Sequence, residues 1–148
     1  MPMLERDGET FILWLDPDDE NRFHPDWLAA VERALGEAEA ARPPCALVTA
    51  GSGKFWSNGP YVEWMMTNPD QATAYITRVK ALLTHTLASP VISVAALNGH
   101  TFGAAAMWAL AHDIRVMPPA GKSKPVRGQI KEPLYAEILA ALRAQRQA

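Results

Sequence analysis

Two glycine-bearing turns hold the residues with the clearest chemical potential. The first, GKFWSNGP at residues 53–60, follows the apolar run CALVTA. The second, NGHTFGAAAM at residues 98–107, follows VISVAAL. In open α/β sheets, ligands collect outside the carboxyl ends of the strands. Glycine turns there can aim backbone N–H groups inward, and a pair of such groups can hold a developing enolate oxygen. The second turn also opens a helix, whose N-terminus favours negative charge.

Other motifs exclude more than they suggest. AGSGKF fails the phosphate-loop pattern twice. Val48 stands where the first glycine belongs, and Phe55 follows Lys54 in place of Ser or Thr. No G-x-S-x-G is present, so a hydrolase nucleophile elbow is unsupported. His24, His85, His100 and His112 show no H-E-x-x-H spacing, so no metal site is expected. With one cysteine, Cys45, no intrachain disulfide is possible.

The elements that must position the two turns are short. TFILWL at residues 10–15 reads as a strand, and DPDDENRF after it as a polar turn. A helix should begin near Pro25, with Asp26 at the positive end of its dipole and Leu28, Val31, Leu35 and Ala38 at helical spacing. CALVTA is a buried-strand candidate. A second helix should begin near Asn68-Pro69, with an apolar face of Tyr75, Ile76, Val79, Leu82, Leu83 and Leu87. VISVAAL, a small-residue helix over 104–111 and the strand DIRVM follow. The order β-α-β-loop-α-β-α-β predicts an α/β fold with a mostly parallel sheet.

The chain is 148 residues long, one ordinary domain, with 49% apolar and 20% charged residues. The formal net charge of −2 argues against a nucleic-acid partner. No apolar run approaches a membrane span, and the early acids Glu5, Asp7 and Glu9 give no signal-peptide pattern. The cytoplasm is the expected compartment. Composition shifts at PPAGKSKPVRGQIKEP, where Lys122, Lys124, Arg127 and Lys131 face one acid, Glu132. The expected organisation is a core over 1–117, a Pro/Lys-rich linker over 118–133 and a C-terminal helix over 134–148. That helix carries the stripe Leu134, Ile138 and Leu142.

ENRFHPDWLAAVERAL, GKFWSNG, SPVISVAALNGHTFGAA and AHDIRVM, in this order and spacing over residues 10–117, resemble the enoyl-CoA hydratase/isomerase (crotonase) superfamily. GKFWSNG is similar to its Δ3,Δ2-enoyl-CoA isomerase branch. The resemblance implies a crotonase-like ββα spiral that binds acyl-CoA thioesters, with no cofactor beyond the coenzyme A of the substrate. It implies a fatty-acid enzyme of the isomerase kind, assembled as a trimer-type homo-oligomer. Ala104, after Gly103, takes the place of one oxyanion N–H donor. Pro60, after Gly59, takes the place of the other, and proline has no N–H to give.

Residues Trp56, Ser57, Asn58, Gly59, Gly103 and Met107 are expected at the ligand. Met107 falls where a hydratase-type member carries glutamate, a departure that fits an isomerase better. The stretch that carries the isomerase base in the family has no counterpart after DIRVM, where the chain runs directly into PPAGKSKP. IKEPLYAEILAALRAQ resembles the far C-terminal helix of the isomerase branch, so the chain resembles a member shortened on its C-terminal side. That leaves a catalytically impaired acyl-CoA-binding or partner-binding protein, or a remnant, as the alternative. Glu63 is the nearest acid to the first turn and is read as a solvated helix-start residue. His100 and Asp113 are read as structural partners. Trp64, Met65 and Met66 are either core or pocket wall.

Overall fold

The computed structural model describes residues 1–15 and 20–118. The expected linker after Pro118 and the expected C-terminal helix, with Glu132 and Glu137, lie outside the described residues. Residues 1–118 form one compact unit.

Strand β1 (Met3–Asp7) forms a hairpin with β2 (Thr10–Trp14), Asp7 opposite Thr10. Sequence reading passed over β1. Of its five residues only Leu4 is even half-buried, and Glu5, Arg6 and Asp7 leave no apolar signal. Its pairing with β2 makes it a strand, and its charges suit an edge. After β3 (Arg22–Phe23), helix α1 (Pro25–Ala40) begins where Pro25 predicts. His24 caps it, its Nδ1 accepting from the Asp26 N–H at 3.3 Å. Trp27, Leu28, Val31, Leu35 and Ala38 are buried along one stripe of α1, as the spacing requires.

Strand β4 (Ala46–Ala50) pairs in parallel with β2. β5 (Phe55–Ser57) and β6 (Gly59–Pro60) follow, then α2 (Val62–Thr67) and α3 (Ala72–Ala88). The Asn68-Pro69 pair closes α2; it does not open α3. The Asn68 N–H and Nδ2 both donate to the Trp64 carbonyl, the latter at 2.8 Å, which uses the asparagine as a stop. The α3 face is also narrower than its apolar pattern suggests. Tyr75, Val79 and Leu82 are buried, while Ile76 and Leu87 are 45% and 73% exposed.

β7 (Ile92–Ala96) pairs with β4, β8 (His100–Thr101) leads into α4 (Ala104–Ala111), and β9 (Ile114–Val116) pairs with β7. The main sheet therefore runs β1-β2-β4-β7-β9, parallel except for β1. Two small parallel pairs, β3–β6 and β5–β8, stand apart from it. The core centres on aromatic rings: Phe23 stacks on Trp27 at 4.9 Å, and both meet the edge of Trp108. Trp56 lies 5.1 Å from Trp108, and both are fully buried. Rings of this size dominate the burial energy of a small domain.

Candidate functional site

The two turns singled out in the sequence meet. β5 and β8 run side by side, so the Phe102 N–H donates to the Ser57 carbonyl at 3.1 Å and the His100 N–H to the Lys54 carbonyl at 2.9 Å. Gly59 takes φ +80°, and a Cβ there would lie 2.6 Å from the Phe102 carbonyl oxygen. Only glycine combines that backbone with that approach. Gly103 takes φ +55°, and a Cβ there would lie 3.5 Å from Pro60 Cδ. The Gly59-Pro60 peptide thus rests against Gly103-Ala104.

Ala104 is the first residue of α4. The turn satisfies its neighbours: Ala105 N–H donates to the Phe102 carbonyl and Ala106 N–H to the Gly103 carbonyl. The Ala104 N–H has no acceptor among the described residues. It sits at the positive end of a helix. Pro60 offers no N–H. The next one along, on Tyr61, is already spent on the Tyr75 hydroxyl at 2.8 Å. That hydroxyl in turn donates to the Phe23 carbonyl at 2.7 Å. Burial pushes the Tyr75 phenol up from its ordinary value of 10.0, so it stays protonated and serves as a bridge.

A cavity of about 340 Å³ opens beside these turns. Pro60 and Ala104 form its wall on the turn side, with Met65 from α2 and Met107 from α4. Tyr75, Ile76, Val79, Lys80 and Leu83 of α3 form the facing wall. Its exposed lining is apolar, which suits a hydrocarbon chain. No carboxylate and no histidine line it among the described residues.

The expected site residues divide sharply. Gly59, Pro60, Gly103 and Ala104 come together, and Met107, 60% exposed, lines the cavity. Trp56 does not. Its ring is fully buried among Trp108 and His112, with Nε1 donating to the Thr49 carbonyl. Strand alternation turns it into the core, so it is no pocket wall. Ser57 is buried too. Its hydroxyl donates to the Asn21 carbonyl at 2.6 Å and accepts from the Gly59 N–H at 3.1 Å. Asn58 faces Glu20, donating from Nδ2 to the carboxylate at 2.6 Å and from its N–H to the Glu20 carbonyl at 2.8 Å. Ser57 and Asn58 brace the turn from behind, and neither lines the cavity.

That brace was missed in the sequence. Glu20 and Asn21 both hold positive φ, +51° and +52°, a conformation uncommon outside glycine. Asn21 Nδ2 donates to the Trp56 carbonyl at 2.9 Å. An asparagine after an acidic turn hints at a left-handed residue, but nothing local says which loop it will hold.

The acids stand elsewhere. Glu63 lies 3.4 Å from Arg22, is largely exposed and is absent from the cavity lining. Asp113 accepts from the Ser93 N–H and hydroxyl at 2.8 and 2.9 Å, which holds its carboxyl below the ordinary range. His100 lies on the surface, stacked on Phe102 at 5.6 Å. His112 is buried and pairs with Thr49 Oγ1 at 3.0 Å and the Trp108 carbonyl at 2.8 Å. Burial pushes its imidazole down, so it is neutral, with Nδ1 the donor to Trp108. No helix among the described residues is long and apolar enough to cross a membrane.

Comparison with known proteins agrees with this geometry. The chain is 37% identical over 118 residues to enoyl-CoA delta isomerase 3 of Arabidopsis thaliana, covering 76% of this chain and 50% of that protein. It is 35% identical over 120 residues to the peroxisomal enoyl-CoA delta isomerase 2 of the same plant, with the same coverage. The chain spans about half the length of the curated relatives it matches. Its fold superposes with a TM-score of 0.74 on an enoyl-CoA hydratase/isomerase family protein from Silicibacter pomeroyi, at 19% identity over 81% of this chain and 53% of that one. It superposes with 0.72 on an enoyl-CoA hydratase from Bacillus anthracis, at 17% identity over 78% and 46%. These likenesses show a crotonase-like fold over the part of those structures that the chain spans. The family model for enoyl-CoA hydratase/isomerase matches residues 10–125, a span that holds both turns and every wall of the cavity. The chain belongs to the enoyl-CoA hydratase/isomerase family.

Proposed function

We propose that this protein binds enoyl-CoA thioesters, with the acyl chain in the cavity between α3 and α4 and the thioester oxygen on the Ala104 N–H. The observation that carries the reading is one juxtaposition: a backbone N–H without an acceptor at a helix N-terminus, on the rim of an apolar cavity. A neutral N–H there stabilises an enolate oxygen more than the carbonyl from which it forms.

The reaction that fits is the isomerase-type double-bond shift. A base removes a proton alpha to the thioester of a 3-enoyl chain. The electron pair delocalises onto the oxygen and the gamma carbon, and a proton returned to the gamma carbon gives the 2-enoyl chain. Ala104 supplies the oxyanion donor in this scheme, while Gly59 and Gly103 let the turns approach. The described residues supply no base at the cavity. Pro60 leaves the oxyanion with one donor where two would serve, and losing one such donor costs about 10²–10³ in rate. Those two facts favour a second reading, a family member that binds acyl-CoA and turns it over poorly.

A thermal melt with and without a saturating 2-enoyl-CoA tests the binding. A ligand taken up only by the folded state raises the midpoint. An upward shift supports the reading, and an unchanged cooperative melt removes it. Turnover of a 3-enoyl-CoA then separates the isomerase from the binder. The same reading places the protein in fatty-acid metabolism as a trimer-type homo-oligomer, which sedimentation would test. It keeps the cytoplasm as the expected compartment. Two relatives are named as peroxisomal, so imaging the tagged chain decides between the two compartments.

A further inference from the structure

Lys80 is the one charged residue in the cavity lining among the described residues. It is exposed, on the outer side of α3 beside buried Val79. A lysine there lays its methylenes along the apolar wall and keeps its ammonium in water at the rim.

No carboxylate answers this charge. The α3 residues one turn away are Ile76, Thr77, Leu83 and Thr84, none of them acidic. Glu32 is engaged with Arg78, Glu39 with His85 and Glu63 with Arg22. Lys80 has no ion pair among the described residues. The contrast with Arg78, two residues earlier, is informative. Arg78 turns toward α1, where Glu32 and the Pro25 carbonyl hold it, while the Lys80 stem contributes to the apolar lining of the cavity.

We propose that Lys80 selects acyl chains whose far end carries a carboxylate, the monothioesters of short dicarboxylic acids. The inference rests on the function proposed above. With the thioester oxygen on Ala104, the chain crosses an apolar wall, and Lys80 is the charge it meets at the rim. A methyl end gains nothing from an ammonium. A carboxylate end gains a charge-assisted contact. The ammonium is solvent-exposed, so the gain is modest, about 1.5-fold to fivefold in Kd.

Calorimetric titration of the full chain with hexanoyl-CoA and adipoyl-CoA tests this, since the two ligands match in carbon number. The wild type is compared with Lys80→Met and Lys80→Arg. The expected result is tighter binding of adipoyl-CoA to the wild type, an advantage that shrinks as salt is raised. The advantage, read as the ratio of the two Kd values so that any effect of the Lys80 stem on the shared acyl chain cancels, is lost in Lys80→Met and kept in Lys80→Arg. If both ligands weaken equally in Lys80→Met, Lys80 acts on the shared CoA part or on the fold, and the inference is overturned. A ratio that ignores the substitution overturns it as well, with the thioester site intact. If the folded wild type binds neither ligand, the proposed function fails and the inference falls with it.

Discussion

Gly59 and Phe102 approach so closely that a Cβ on residue 59 would stand 2.6 Å from the Phe102 carbonyl oxygen. This contact docks one turn onto the other and sets Ala104 at the cavity rim. Gly59→Ala must shift backbone against backbone, and it also places a side chain at φ +80°. The strain is about 1–3 kcal/mol. The expected outcome is a melting midpoint lower by several degrees and weaker acyl-CoA binding. A variant that melts and binds like the wild type would show that the turns are not locked by this contact.

Tyr75→Phe removes one hydroxyl that serves two backbone groups, the Tyr61 N–H and the Phe23 carbonyl. Leaving buried polar groups unpaired costs about 1–3 kcal/mol. Denaturant unfolding should show that loss. Binding should weaken further than stability alone explains, because Tyr75 also lines the cavity and tethers the residue after Pro60.

Pro60→Leu returns an N–H to the first turn. If that N–H reaches the thioester oxygen, turnover of a 3-enoyl-CoA should rise by about 10²-fold or more, the worth of one oxyanion donor. Unchanged turnover in a folded variant would place residue 60 away from the oxyanion.

His112 makes stability depend on pH. Burial lowers its pKa in the folded state below the ordinary 6.5, so the unfolded chain binds the proton more readily. The stability it contributes is complete above pH 6.5 and is lost as pH falls through 6.5 toward the lowered folded value. Glu39 and Asp113 have lowered carboxyl pKa values and act further into acid, below their ordinary 4.5 and 3.8. Urea unfolding at pH 7.5 and pH 5.5 should therefore show a lower midpoint at the acid value. His112→Gln should flatten that difference, and an equal slope in the variant would assign it to other groups.

Much of this molecule is written locally. Pro25 starts α1, the spacing of Leu28, Val31 and Leu35 fixes its buried stripe, and the apolar runs at β2, β4 and β7 form the adjacent parallel strands of the main sheet, with Phe11, Leu13, Leu47 and Ala95 buried. The two glycine turns could be named from the sequence because only glycine tolerates the backbone they need. The proline at residue 60 and the methionine at residue 107 were equally plain. Tertiary structure decided the rest. Strand β1 exists because β2 pairs with it, not because its residues are apolar. Asn68 could open a helix or close one, and its bonds to Trp64 chose the second. Trp56, Ser57 and Asn58 sit beside the ligand turn in the chain, yet packing sends Trp56 into the core and gives Ser57 and Asn58 to the Glu20–Asn21 brace. Periodicity reports which side of an element is apolar. It does not report what covers that side, and a cavity is a place where the covering stops short, so the space between α3 and α4 emerges only when the helices are set against each other.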